Sequence, residues 1–173
     1  MNNYEKINIE FRKAYLSEID EIYKLYIDRV KWFKDNNIRQ WSRYLINHPK
    51  EEFECSIKNG KYFILKINNK IVAGLELSTD SKLWNDNSDI AYYIYKLNTK
   101  IGYKNLAQII FNECEKIAME NNKKYLRLDH ITSNVKLSNI YESHGFKLKK
   151  QGEIDGYNYT LREFEVNQSK HNV

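Results

Sequence analysis

The sequence predicts a mixed α/β fold, with a mostly antiparallel central sheet of about seven strands flanked by about four helices. Three observations carry this. Seven short segments are rich in β-branched and aromatic residues or alternate apolar with polar. Four segments repeat apolar residues at helical spacing. Their order, β, α, α, β, β, β, α, β, α, β, β, gives three meandering strands and then one strand–helix–strand crossover, which excludes an all-parallel sheet.

Residues 7–13, INIEFRK, alternate as a half-buried strand does. Ser17 with Asp20 resembles a capping box. Ile19, Ile22, Tyr23, Tyr26, Val30 and Phe33 follow at helical spacing, and Asn36-Asn37 ends the helix. A loop with Arg39, Gln40 and Trp41 leads to a second helix, about 49–58, with Pro49 in its first turn. KYFILKI and KIVAGLEL, joined by Asn68-Asn69, read as a hairpin. Thr79 to Ser88 reads as a loop holding Trp84, and 89–97 as a strand. Leu106, Ile109, Ile110, Cys114, Ile117 and Ala118 mark a helix over 105–121, followed by a strand over 124–130. Asn134 opens a last helix that Gly145 closes, and FKLKKQG and YNYTLREFEV form a hairpin about Asp155-Gly156.

The 173 residues suffice for one domain, 1–173, with a core over 7–166 and a frayed tail, 167–173. The net charge is +5, but Lys and Arg are interleaved with Asp and Glu, which favours a solvated surface over a nucleic-acid footprint. Cys55 and Cys114 stand in no metal-ligand or redox spacing and read as buried free thiols. The N-terminus lacks an apolar signal region, and no run approaches the ~18 apolar residues of a membrane span. The expectation is a cytoplasmic, reduced protein with no metal.

The most informative segment is NVKLSNIYESHGF, 134–146. Asn134, Leu137 and Tyr141, at i, i+3 and i+7, share one helix face, with Asn134 and Tyr141 roughly 10 Å apart along the axis. Singly, Asn134 reads as an N-cap, Tyr141 as a half-buried aromatic and Gly145 as a C-cap. Joined to Gly145-Phe146 and the preceding strand, the block resembles the last motif of the GNAT (GCN5-related) N-acetyltransferases, and the element order resembles that fold over about residues 7–166.

The resemblance implies acetyl-CoA as cosubstrate and a primary amine of a small molecule or peptide as acceptor. It also implies that such proteins often pair as homodimers. By the same resemblance, Tyr141 lies beside the CoA sulfur as general acid, and Asn134 contacts the pantetheine. A phenol suits that role because it is protonated at neutral pH, with a reference pKa of about 10. A backbone N–H near Leu97, with Asn98 close by, would meet the developing oxyanion. The family's pyrophosphate loop corresponds to 99–107, with Thr99, Gly102, Lys104, Asn105, Leu106 and Ala107 as its candidate contacts; Ala107 matches the pattern's last small residue, whereas Gly102 stands at its basic position and Asn105 at its central glycine. Asn105 tolerates the positive φ such a turn needs, and Lys100 or Lys104 would supply charge.

The general base is left among His130, Glu76 and Asp129. Strand alternation keeps Asp129 and His130 from facing the same side. Gln40, Trp41 and Asp129 are the candidates for the acceptor pocket; Trp41 also reads as a lid on the core. The altered loop leaves a second reading open, a GNAT-fold protein that binds acyl-CoA or a protein partner without catalysis.

Overall fold

The computed structural model describes residues 7–38, 40–84 and 89–167. Arg39, the N-terminal stretch read for a signal, the far end of the 79–88 loop and the tail beyond Asn167 lie outside the described residues.

The elements are β1 (Ile9–Lys13), a 3-10 turn (Leu16–Glu18), α1 (Ile19–Asp35), α2 (Tyr44–Asn47), α3 (Lys50–Lys58), β2 (Tyr62–Ile67), β3 (Lys70–Ser78), β4 (Ala91–Thr99), α4 (Ala107–Glu120), β5 (Tyr125–Ile131), α5 (Val135–Ser143), β6 (Lys147–Ile154) and β7 (Tyr157–Glu165). The seven strands form one mixed sheet in the order β1-β2-β3-β4-β5-β7-β6. β1–β2, β2–β3, β5–β7 and β6–β7 pair antiparallel, and β4–β5 is parallel. The β4–β5 register runs only over Ala91↔Tyr125, Tyr92↔Leu126 and Tyr93↔Arg127.

Several local readings are corrected. The cap before α1 is not Ser17 with Asp20. Glu18 instead accepts the Tyr15 N–H at 2.9 Å, and Arg12 grips the same carboxylate at 2.7 and 2.9 Å. A fifth helix, the single turn α2, stands where a loop was expected. β4 runs to Thr99 rather than 97, because Lys96 takes φ 54 within the strand and breaks the alternation that a pattern reading follows. α4 starts at Ala107 rather than 105, because Asn105 takes φ 59, the left-handed turn conformation expected of it. Cys114 is buried but Cys55 is exposed. Both hairpin turns hold. Asn68 and Asn69 have φ 47 and 63, and Asp155 and Gly156 have φ 50 and 75, the signs a type I′ turn requires.

Contacts divide the chain into two compact units. One is Met1–Glu76 with Lys96–Lys104, the other Leu77–Tyr95 with Asn105–Val173. In the first, Ile22, Leu25 and Tyr26 of α1 line one face at helical spacing and bury against Phe53 and Ile57 of α3, Tyr62 and Ile64 of β2 and Ile71 of β3. Each such aliphatic or aromatic side chain contributes about 1.5–3 kcal/mol of burial. Gly74 is required there by close approach. A Cβ would stand 2.3 Å from the Tyr62 hydroxyl. In the second unit, the rings of Phe111 of α4, Tyr141 of α5, Phe146 and Phe164 pack tilted or edge to face at centroid distances of 4.9–6.0 Å.

Candidate active site

In the second unit, the β5–β7 register sorts the candidates by face. Leu128 pairs with Arg162 and His130 with Thr160, so these share one face; Asp129 pairs with Leu161 on the other. His130 and Asp129 therefore point apart, as alternation demands.

The Tyr141 ring lies 5.5 Å from that of His130, centroid to centroid, and its hydroxyl feels the Asp129 charge; the residue is 6% exposed rather than half-buried. Burial first, then the charge of Asp129 and the Tyr157 phenol, push its pKa well up, so the hydroxyl stays protonated at any physiological pH. His130 has both ring nitrogens engaged. Arg162 Nε donates to Nε2 at 3.2 Å, and Nδ1 sits 2.9 Å from the Ile131 carbonyl. Arginine only donates and a carbonyl only accepts, so the ring is the neutral Nδ1–H tautomer. Burial holds its pKa below the ordinary value; the Ile131 bond opposes this and Arg162 adds to it. Arg162 also bonds the Phe146 carbonyl at 3.0 Å and the Ser138 hydroxyl at 2.6 Å, so His130 belongs to a fixed polar lattice under α5.

Asp129 differs. Among the described residues no hydrogen bond or ion pair reaches its carboxylate. Burial pushes its pKa up to about 6. A groove of about 660 Å³ is lined by Ile131, Ser133, Gln151, Glu153, Tyr157 and Asn158 among others, and of these Tyr157 feels the Asp129 charge. At the start of α5, the Asn134 side-chain oxygen accepts the Leu137 N–H at 2.9 Å and caps the helix.

The first unit holds a second polar cluster. Glu76 Oε2 lies 2.5 Å from Lys96 Nζ, and Glu52 Oε1 lies 2.8 Å from the same ammonium. Burial works against the Glu52 carboxylate, but the bonds from Lys96 and His48 prevail and hold its pKa below the usual value. The Tyr26 and Tyr62 hydroxyls meet at 2.5 Å, and Tyr26 donates to the Lys96 carbonyl. Trp41 stacks on Tyr44 with centroids 4.2 Å apart and reaches Tyr26 at 6.2 Å, beside Gln40 in the chain. Asn98 is 4% exposed; its side chain donates to the Leu25 carbonyl at 2.9 Å and accepts from Arg29 Nε at 3.2 Å. That amide pins β4 to α1, so only its backbone is left to meet a ligand. Leu97 and Thr99 are half-buried in the same strand end.

Residues that the sequence reading missed are Lys96, Glu52, Tyr157 and Arg162. For Lys96 a signal existed: a lysine inside the apolar run DIAYYIYKL requires a partner.

The chemistry of the donor set fits a phosphorylated cofactor. α4 has no side-chain cap at Leu106, so its first-turn N–H groups at Ala107 and beyond are unsatisfied by any cap, the arrangement that receives phosphate. Asn105 is left-handed and exposed just before it. In the first unit, Gly102 has φ 91, a conformation that glycine adopts freely, and Lys100 and Lys104 flank it.

No family model and no curated protein matches the sequence. Solved structures do. An acetyltransferase of the GNAT family from Listeria monocytogenes is 24% identical, with TM-score 0.75, covering 91% of this chain and 95% of that one. One of the same family from Bacillus cereus is 16% identical, with TM-score 0.68, covering 94% and 99%. The PaiA N-acetyltransferase from Thermoplasma acidophilum, solved in complex with coenzyme A, is 18% identical, with TM-score 0.70, covering 91% and 99%. Element order, sheet order and these likenesses agree: the chain has the fold of the GNAT-family acetyltransferases.

Proposed function

We propose that this chain is an N-acetyltransferase that moves an acetyl group from acetyl-CoA to a primary amine of a small molecule or peptide, by direct attack. The observation that carries the reading is the pair Asp129 and Tyr141 in the second unit, a carboxyl poised near neutrality and a phenol kept protonated. Acetyl-CoA, when bound, supplies the thioester. The first-turn N–H groups of α4 at Ala107, with Asn105 and Lys104 nearby in sequence, would hold its phosphates, and Asn134 its pantetheine.

Asp129 is the better base of the three candidates. It takes a proton from the acceptor ammonium at its carboxylate. His130 has no lone pair to offer, and Glu76 is paired with Lys96 in the free protein. Tyr141 donates its hydroxyl proton to the departing sulfur. A phenol that burial keeps protonated is always loaded for this step, and its raised pKa means the proton must be restored promptly.

Two measurements test the proposal. Acetyl-CoA at about a hundredfold over Kd raises stability by about 2.7 kcal/mol, visible as a higher melting temperature. With an amine panel, thiol release follows, and Tyr141→Phe lowers kcat by ~10²–10⁴-fold while leaving the fold intact. No melting shift at millimolar acetyl-CoA sinks the reading; a shift with no thiol release identifies an acyl-CoA-binding protein instead.

A further inference from the structure

We propose that Glu52, Glu76, Phe53 and Tyr44 in the first unit form a site for a primary alkylammonium ion, and that Lys96 is its built-in occupant, released when such an amine binds. The Lys96 ammonium lies 2.8 Å from Glu52, 2.5 Å from Glu76 and 5.5 Å from the Phe53 ring centroid. Two carboxylates and an aromatic face around one –NH₃⁺ is the chemistry that recognises a cationic amine.

Four features set this apart from an ordinary ion pair. First, two carboxylates converge on one ammonium. Around them α1 offers the Tyr26 hydroxyl, α2 the Tyr44 hydroxyl and β2 the Tyr62 hydroxyl; His48 sits 3.0 Å from Glu52. Second, the Tyr44 hydroxyl is buried with no hydrogen-bond partner among the described residues, although the charges of Glu52 and Glu76 reach it. That hydroxyl is therefore able to bond a group that enters the cage. Third, Lys96 reaches the cage from a left-handed residue, φ 54, in the middle of β4, a strained conformation for a lysine. Fourth, the cage has a wet mouth and a dry floor. The Glu52 side chain is 40% exposed, whereas those of Glu76 and Lys96 are 12% and 8%.

A buried ion pair stabilises little beyond an apolar replacement of the same volume, so stability alone gives no reason for the arrangement. An exchangeable occupant does. The substrate class follows from the lysine itself: an unbranched alkyl chain of about four carbons ending in –NH₃⁺ has the shape that already fits. The role of this site in loading the acceptor rests on the amine acetylation proposed above; its ability to bind an amine does not.

The test uses n-butylammonium as probe and the full chain without acetyl-CoA. Glycine accepts φ 54, so Lys96→Gly empties the cage without opposing the backbone. Calorimetry is expected to show Lys96→Gly binding n-butylammonium at least about tenfold more tightly than the wild type, with no saturable binding of 1-butanol. Equal affinity in the folded variant, or equal binding of the alcohol, overturns the proposal. Should Lys96→Gly not fold alone, refolding in millimolar n-butylammonium but not in 1-butanol supports it, and no refolding in either overturns it. Because acetyl-CoA is absent, failure here leaves the acetyltransferase reading standing. Failure of acetyl-CoA to bind likewise leaves the ammonium site standing.

Discussion

At the residue scale, Asp129 makes a claim that pH can test. Its carboxyl titrates near 6 in the fold, while an unfolded aspartate titrates at about 3.9. The folded value is the higher one, so the native state holds the proton more tightly. The fold is favoured while the group is protonated, and that advantage is lost as pH rises through about 6. The difference of about two units corresponds to at most about 3 kcal/mol. Urea unfolding is expected to show the wild type losing stability relative to Asp129→Asn between about pH 4 and 7. If Asp129 is the base, the acidic limb of the kcat/KM profile lies near the same pH and vanishes in the variant. A wild-type profile flat through pH 6 removes Asp129 from the reaction.

Asn134 is the second residue whose two roles separate. Its side-chain oxygen caps α5, so Asn134→Ala is expected to cost about 1 kcal/mol. Asn134→Ser keeps a capping oxygen and recovers most of that in urea melts. If the amide nitrogen meets the pantetheine, serine does not recover acetyl-CoA affinity, and titration of the cofactor reads that loss. A serine variant that binds acetyl-CoA like the wild type reduces Asn134 to a cap.

At the element scale, Tyr62 of β2 lies closely against Gly74 of the neighbouring strand β3. A methyl at 74 would stand 2.3 Å from the Tyr62 hydroxyl and 3.1 Å from its ring carbons, in a fully buried place. Gly74→Ala is expected to cost about 1–3 kcal/mol, and to disturb the Tyr26–Tyr62 bond that leads to Lys96. Combining it with Tyr62→Phe removes the clashing oxygen, so the double variant should lose less than the sum of the two singles. Additive losses in denaturant titrations would mean that the strand shifts instead.

What the sequence revealed also divides at this scale. Helices, hairpins and their turns were legible because periodicity and the Asn-Asn and Asp-Gly pairs are local signals. The end of β4 was not, since the left-handed Lys96 is set by tertiary ion pairs with Glu52 and Glu76 from distant elements. The candidate site was legible only in part. Tyr141, Asn134 and Asp129 stood out by spacing and position, but nothing local shows that Arg162, thirty-two positions from His130, occupies that ring. Likewise the inward turn of Asn98 depends on α1, which no pattern around residue 98 contains.

At the scale of the whole molecule, the sheet order leaves two edges, β1 and β6. β6 is exposed along nearly its whole length, with Leu148 55% and Ile154 48% exposed, and its pairing with β7 is broken by a register shift between Leu148 and Lys150. The open outer edge of such a strand is a template for another chain. Lys147, Lys149 and Lys150 line it, and Lys149 also reaches Glu163 at 3.1 Å. The lysines and the irregular register therefore do for the population of molecules what packing does for a single one: they keep copies apart by repulsion and by a poor template. Replacing Lys147 and Lys150 with serine should leave the unfolding free energy from urea titration within about 0.5 kcal/mol of the wild type. Light scattering in concentrated solution should nonetheless rise with time. Solubility in this protein would then be a property written into one strand, separable from how firmly the chain is folded.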